Sequence, residues 1–493
     1  MAKKRRGPIK GLMGGQYKPL TDSQVQRIHE AALSILERTG VLVEEPESLR
    51  LFEEAGAIVD RDASRVRIPR ALVEDAVDWA PSRMVLAGRD PRWDLELEGA
   101  RVHIGTGGAA LTVLDTETGQ PRPAVLRDVA ELARLVDALD NVHFYLVPVY
   151  PTELGKDDVD VNTYYASLAN TSKHVQAGVY SIQGIRDTVE MCERIAGGPE
   201  ALRERPIVSF ITSWMVSPLK FATDVTALLI ETCRQRIPVV LSAAPMAGST
   251  APVTLAGMLA QLTAEQLSGV VLTQLAQRGA PLLIGPIPAT ADMKTGRYLA
   301  GAAEFGLTNG AMAQMAQFYR LPIYNSAGMT DAKLSDIQAG FEKAMSAVLA
   351  ALAGSNFIHH AAGMLENMNT VAAEQFVIDN DILGMAMRVV QGIEVNEKTL
   401  ALDVIDEIGP GGHYLMADHT LRHMRSEFYY PSAVVDRQGW DMWQQDGGRD
   451  AVERAREIAG DILANHRPEP LDPEVDEWIR GRFDLILPVR ERR

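Results

Sequence analysis

Apolar residues fall along this chain in eight short runs, spaced roughly 30 to 45 residues apart, each followed by a stretch of helical periodicity. Runs that are continuously rather than alternately apolar belong to strands buried on both faces, as in a parallel sheet covered by helices. The runs are Arg101–Gly105, Val142–Val149, Lys173–Tyr180, Ile207–Thr212, Pro238–Ala243, Pro281–Gly285, Pro322–Asn325 and Phe357–Ala361. A hairpin is expected over Leu111–Asp115 and Pro121–Ala124. Helices are expected over 128–139, 158–170, 184–196, 221–236, 254–278, 297–319, 335–353 and 371–391. Pro206, Pro238, Pro281 and Pro322 stand where helices must end and strands begin. The pattern predicts an α/β chain, a (β/α)8 TIM barrel.

The flanks read differently. Residues 1–20 are basic and Gly-rich and read as a tail; helices are expected over 22–39, 47–56 and 69–79. Beyond 392, helices are expected over 394–408 and 413–428, around the break Gly409-Pro410-Gly411-Gly412, and over 449–465 and 473–482. The division predicted is a helical N-terminal extension (1–100), the barrel (101–392) and a helical C-terminal extension (393–493).

Charge and composition narrow the function. A net charge of −16 over 493 residues disfavours nucleic acid, and Lys3-Lys4-Arg5-Arg6 reads as part of the tail. No run of about 20 apolar residues stands out, so no membrane span is expected, and no secretion signal opens the chain. Cys192 and Cys233 are the two cysteines, outside any metal spacing, which fits a reducing cytoplasm.

Barrels keep their chemistry in the loops after the strands. Those windows hold few carboxylates and several aromatics: Tyr150, Tyr180, Trp214 and Tyr324. Converging aromatic faces attract a quaternary ammonium through the ring quadrupole, although any one of these rings could simply be core. His359-His360 ends the eighth run, where an extended strand points at most one of the two into the mouth. His413, His419 and His423 resemble a metal cluster, but no carboxylate or cysteine completes the set, and no metal is expected. Gly328 and Gly363 follow the seventh and eighth runs, where barrels often hold phosphate; tight turns explain them equally.

Longer segments carry a family resemblance. Leu321 to Lys333 (LPIYNSAGMTDAK), Asp336 to Lys343 (DIQAGFEK), Gly363-Met364-Leu365-Glu366, Glu374 to Asp379 (EQFVID), Val395 to Ile405 and Gly409 to Leu415 resemble the trimethylamine methyltransferase superfamily. So do Gly40-Val41 and the segment 115–119, and the likeness extends over nearly the whole chain. It implies a barrel enzyme that passes a methyl group from an amine to the cob(I)alamin of a separate corrinoid protein. Trimethylamine-specific members carry pyrrolysine in the loop after strand seven. The corresponding place here is at or just after Lys333, where Leu334 follows and no pyrrolysine occurs. The chain is therefore similar to the non-pyrrolysine branch, which includes glycine betaine:corrinoid methyltransferases.

Chemistry points the same way. A neutral amine leaves as an amide anion unless protonated, whereas a quaternary ammonium leaves as a neutral amine and needs positioning and desolvation alone. On this reading His360, Asp331 and Lys333 are the catalytic candidates, with His360 contacting substrate or corrinoid and the other two lying near the methyl group. Tyr150, Tyr180, Trp214, Tyr324, His359 and Glu304 are the substrate-binding candidates. Lys333, His359 or His360 could meet an anionic end of the substrate, and Asp331 or Glu304 could balance the ammonium charge. The expected partners are a corrinoid protein, docking in part on the C-terminal helices and the 409–412 turn, and a small quaternary amine; a homo-oligomer is also expected. The alternatives are a phosphate-binding barrel lyase and a non-catalytic barrel that binds quaternary amines.

Overall fold

The computed structural model describes residues 9–116 and 118–488. The Lys3–Arg6 cluster lies outside them. Eight parallel strands form where the apolar runs stand: β1 (Arg101–Thr106), β2 (Phe144–Leu146), β3 (His174–Gly178), β4 (Val208–Thr212), β5 (Val239–Ala243), β6 (Leu282–Pro286), β7 (Tyr324–Ser326) and β8 (Phe357–Ala362). Helices follow them: α1 (Leu126–Asp137), α2 (Val159–Leu168), α3 (Ile182–Ala196), α4 (Thr223–Arg234), α5 (Leu255–Ala276), α6 (Ala303–Tyr319), α7 (Ile337–Ala353) and α8 (Ala373–Gln391). The hairpin after β1 pairs 112–114 with 121–123, as the sequence predicts.

Strands β2 to β6 form one parallel sheet in chain order, and β7, β8 and β1 form another. Ile284 bridges Ile323 in parallel between β6 and the segment entering β7. At the other seam the His143 N–H donates to the Ile104 carbonyl at 2.7 Å, and the Thr106 hydroxyl donates to the Leu146 carbonyl at 2.6 Å. The opposite end of that seam is occupied: Leu12–Met13 pairs antiparallel with Arg101 and Val102, taking the edge of β1 that a neighbouring strand would use. The segment expected to be a tail is thus a short strand, with Gly15 and Tyr17 also bonded to the Leu352 carbonyl.

The helical reading of residues 1–100 is half right. Helices Asp22–Ser34, Pro46–Glu54 and Arg70–Trp79 form. Strands at 41–42, 58–60 and 65–67 join a small sheet with 215–216 and 220–221, and a hairpin pairs 83–86 with 95–98. That hairpin alternates, and its inward residues Met84, Leu86, Leu95 and Leu97 are buried in one cluster with Phe144, Val240, Leu283 and Phe357. It plugs the end of the strand array opposite the functional loops.

Among the described residues, helix α5 is the one long and apolar enough to cross a membrane by length and composition, but Gln261, Glu265, Gln266 and Gln274 interrupt it, so the expectation of no unbroken apolar run stands. Of its most apolar 18-residue window, 83% is buried, and the helix packs against the N-terminal helices. Past α8 the expected helix over 394–408 is two, Glu397–Leu400 and Leu402–Ile408, broken at left-handed Ala401. The helix α9 (Ala451–Asn465) packs on α8 and α1. Beyond it His466 binds Asp137 at 2.8 Å, and Asp476 and Arg480 bind Tyr165 at 2.5 and 2.6 Å, fastening this part of the chain to α1 and α2.

Candidate functional site

A cavity of about 550 Å³ opens at the end of the strands from which the loops lead into the helices. Its walls come from every side of the array: Gly108 after β1, Tyr150 after β2, Tyr180 after β3, Ser213 after β4, Ala244 after β5, Ile287 after β6, Tyr324 on β7 and His360 on β8. The walls are largely apolar, including Leu146, Val149, Ile211, Leu228 and Met368.

Four of the residues singled out from sequence meet here: Tyr150, Tyr180, Tyr324 and His360. Tyr150 and Tyr180 are half-buried and meet edge to face, with ring centroids 5.5 Å apart at 77°. Tyr324 is fully buried and stacks on His359 at 3.5 Å and on Phe357 at 5.7 Å.

The geometry around His360 depends on a local break in β8. The register between β8 and β1 shifts between Ile358 and Ala362, and His360 adopts φ +62°, a left-handed conformation that costs a non-glycine residue energy. Gly107 accepts this close approach: a Cβ there would sit 2.2 Å from the His360 ring. The Ser326 hydroxyl lies 2.7 Å from His359 Nε2 and 3.3 Å from His360 Nδ1, linking the two rings. Burial, with the nearby Lys343 charge, lowers the His360 pKa to about 3, so its imidazole is neutral at physiological pH. The sequence expectation that at most one of the pair reaches the mouth holds: His360 lines the cavity, while His359 is held beneath it against Tyr324.

The remaining candidates lie elsewhere. Trp214 is fully buried but turns away from the cavity to pack edge-on against Phe221 at 4.6 Å, over Gly269 of α5, where a Cβ would meet its ring at 2.5 Å. Glu304 is exposed in the first turn of α6. Asp331 accepts bonds from the Ala300 and Gly301 N–H groups at 3.0 and 3.3 Å, tying the loop after β7 to the loop before α6. Lys333 is exposed, its ammonium donating to the Asp331 carbonyl at 2.8 Å. These contacts make Asp331 and Lys333 braces of the mouth rather than parts of its wall.

Two groups in the wall escaped the sequence reading. Asp160 lies in the first turn of α2, and Lys156 precedes that helix, so neither belongs to a strand-end window. The Asp160 carboxylate accepts the Tyr180 and Ser181 N–H groups at 3.1 and 3.2 Å and thereby fixes Tyr180. Burial raises its pKa to about 6 against the opposing pull of these bonds. Gly184 leaves it room, since a Cβ there would overlap Asp160 Oδ2.

The glycines after β7 and β8 are already engaged. The Gly328 N–H donates to Ser346 at 3.0 Å and the Gly363 N–H to Asp379 at 2.7 Å. Both have positive φ, and a Cβ would strike the Ala361 backbone at 2.6 Å and the Phe376 ring at 2.1 Å. Close packing explains both, and neither N–H faces outward for a phosphate. Beneath them Lys343 pairs with Asp379 at 3.2 Å, both fully buried. Burial draws each toward its neutral form, and their mutual attraction opposes it. The Lys343 ammonium also donates to the Gly328 and Met364 carbonyls, so one buried ion pair holds both loops. His419 and His423 lie one turn apart with ring centroids at 4.5 Å, and among the described residues no group of three or more His, Cys, Asp or Glu side chains could hold a metal.

Residues 4–484 match the family model described as trimethylamine methyltransferase (MTTB). Trimethylamine methyltransferase MttB of Desulfitobacterium hafniense (strain DSM 10664 / DCB-2) is 38% identical over 94% of this chain and 92% of that protein. The trimethylamine methyltransferase MttB of Methanosarcina barkeri is 36% identical over 96% of each chain. The glycine betaine methyltransferase of Desulfitobacterium hafniense (strain Y51) is 33% identical over 96% of this chain and 97% of that protein. Among solved structures, the Methanosarcina barkeri monomethylamine methyltransferase (MtmB) covers 92% of this chain and 95% of its own, with a TM-score of 0.49 and 13% identity.

Proposed function

Because this chain belongs to the trimethylamine methyltransferase family, we propose that it transfers a methyl group from a small quaternary amine, a betaine, to the cob(I)alamin of a partner corrinoid protein. The scaffold in this reading is a closed (β/α)8 barrel over 101–392, with extensions over 1–100 and 393–493. Free, buried Cys192 and Cys233 suit a reducing cytoplasm.

One observation carries the substrate class: an apolar cavity whose polar rings are Tyr150, Tyr180 and Tyr324, beside a histidine held neutral. The tyrosine faces attract a cation, and a neutral His360 does not repel it. A protonated histidine in the same place would. Lys156 at the rim suits the carboxylate of a betaine. A trialkylamine must keep its proton in the apolar cavity to leave as a neutral amine, whereas a quaternary ammonium carries its charge without one.

In this reading the corrinoid meets the cavity at its open mouth, and the apolar walls favour excluding water from the path of the methyl group. When bound, the corrinoid supplies a Co(I) electron pair that takes the methyl group as the carbon–nitrogen bond breaks. The nitrogen keeps its bonding pair and leaves as a neutral tertiary amine. The chain's own part is to hold the ammonium against the tyrosine rings with one methyl aimed outward, and to keep water from the path.

The test is the fall of cob(I)alamin absorbance with a corrinoid acceptor protein and a panel of quaternary amines together with trimethylamine. Turnover with one betaine and none with trimethylamine is expected. Silence across the panel, with betaine binding retained, would replace this reading with a non-catalytic amine-binding barrel.

Two further outcomes follow from the cavity wall. Tyr180→Leu is expected to raise the KM for the ammonium substrate by roughly 2- to 30-fold, the loss of one cation–π contact, with little change in kcat. Affinity is also expected to depend on pH. Asp160 is neutral below its pKa of about 6 and charged above it, so the added negative charge should tighten cation binding as pH rises through about 6. Titration of Kd from pH 5 to 8 checks the sign, and Asp160→Asn should flatten the curve.

A further inference from the structure

His359 and His360 are joined through one hydroxyl, and the hydrogen bonds about it have a direction. Ser326 Oγ lies 2.7 Å from His359 Nε2 and 3.3 Å from His360 Nδ1. All three side chains are buried, and burial keeps both imidazoles neutral. A neutral imidazole carries one proton, and the bond made at one nitrogen decides which nitrogen holds it. A serine has one proton to give, so it donates to one ring and accepts from the other.

Two arrangements satisfy the chain of bonds. In the first, Ser326 donates to His360 Nδ1 and accepts the His359 Nε2–H, so His360 carries its proton on Nε2. In the second, Ser326 donates to His359 Nε2 and accepts the His360 Nδ1–H, so His359 carries its proton on Nδ1. That last nitrogen is fully buried and has no hydrogen-bond partner among the described residues. The second arrangement therefore buries an N–H with nothing to accept it, whereas the first leaves there only a lone pair. The Gly108 carbonyl points the same way, since it favours a proton on the His360 ring. Its neighbour Gly107 marks the side: a Cβ there would meet His360 Cδ2, the carbon next to Nε2, at 2.2 Å. The relay is held in place, with His359 stacked on Tyr324 at 3.5 Å and the Ser326 N–H donating to Asn309 Oδ1 at 3.2 Å.

We propose that Ser326 and His359 are positioning residues that hold the His360 proton on Nε2, so that the cavity meets a neutral N–H donor and no lone pair. Nδ1 faces Ser326 and Cδ2 faces Gly107, which leaves the Nε2 edge for the cavity that His360 lines. Such an edge takes up no proton and attracts no cation; it donates to an acceptor atom on the substrate. In the methyl-transfer reading, on which this consequence rests, the acceptor is the carboxylate of the betaine. The position of the proton is a property of the resting protein and stands apart from that reading.

Magic-angle-spinning NMR of the full chain labelled with 15N-histidine tests it, because protonated and bare ring nitrogens resonate far apart; His360→Asn assigns the signals. The substrate-free wild type is expected to show His360 protonated on Nε2 and bare on Nδ1. Ser326→Ala and His359→Leu should each turn His360 into a mixture of tautomers. His359→Gln, whose amide N–H can stand in for the His359 Nε2–H, should restore the single one. Calorimetry on the same proteins reads the use of the donor. Affinity for glycine betaine should fall about 10-fold in Ser326→Ala and His359→Leu, the worth of one hydrogen bond to a charged group. Affinity for tetramethylammonium, which has no carboxylate, should not change. A wild-type proton on His360 Nδ1 overturns the proposal, and so does one tautomer shared by the wild type and all three variants with melting transitions intact. Equal losses for both ligands overturn the donor role. A wild type that shows the expected tautomer and binds neither ligand overturns the methyl-transfer reading and upholds the relay.

Discussion

His360→Asn is expected to lower kcat by about 100-fold while leaving the melting temperature nearly unchanged. Asparagine is the informative replacement because it tolerates the left-handed backbone that position 360 adopts, so the fold around the bulge survives. What it removes is the ring that stands in the cavity wall, set by Ser326 on one side and by the absent side chain of Gly107 on the other. If the ring positions the ammonium or the incoming macrocycle, an error of about 1 Å in that placement is worth on the order of 100-fold. A kcat within threefold of wild type would remove His360 from the reaction. Because the imidazole is already neutral above pH 3 or so, its loss should leave the shape of the pH–rate profile unaltered between pH 6 and 8.

Lys343→Met is expected to destabilise the chain by about 3–5 kcal/mol, the cost of leaving one charge of a buried pair without its partner. The lysine is fully buried, and removing it strands Asp379 and frees the Gly328 and Met364 carbonyls. Protonation of Asp379, favoured by its burial, would limit the loss at low pH. The double variant Lys343→Met, Asp379→Asn should recover most of it, since asparagine can still accept the Gly363 N–H without a charge. Denaturant melts of the wild type, Lys343→Met, Asp379→Asn and the double variant give the cycle. Equal stability of the single and double variants would mean that the pair is not what holds the two loops.

The strands were legible because both of their faces are buried. A run such as Val239–Ala243 is apolar but for Ser242, and its ends agree with the sequence reading to within a residue. Short two-sided elements were not legible. The strands at 41–42 and 215–216 have two residues each, too few for a period, and the hairpin at 83–98 alternates over only four residues per strand. The site was read in part for a related reason. A rule that looks along the ends of the strands and just past them finds Tyr150, Tyr180, Tyr324 and His360, but cannot say which way a side chain turns. Trp214 satisfies the rule and faces the helices, because Gly269 opens a slot for its ring on that side. Asp160 breaks the rule, coming from a helix, and became visible only through the N–H groups it binds. Asp331 marks a brace, tying the loop after β7 to the Ala300 and Gly301 N–H groups, while Lys333 beside it stands exposed.

The fastening of residues 466–482 onto α1 and α2 has a consequence for how the chain is made. Asp137 is synthesised 329 residues before the His466 that binds it, an interval of roughly 15–65 s at ordinary elongation rates. Throughout that time a nascent chain carries α1 and α2 without the side chains that will cover them, and until Ala362 is made β1 also lacks the β8 edge it pairs with. The early half of the sheet therefore waits on the ribosome with its apolar faces open, within reach of chaperones, and locks only when the late helices emerge.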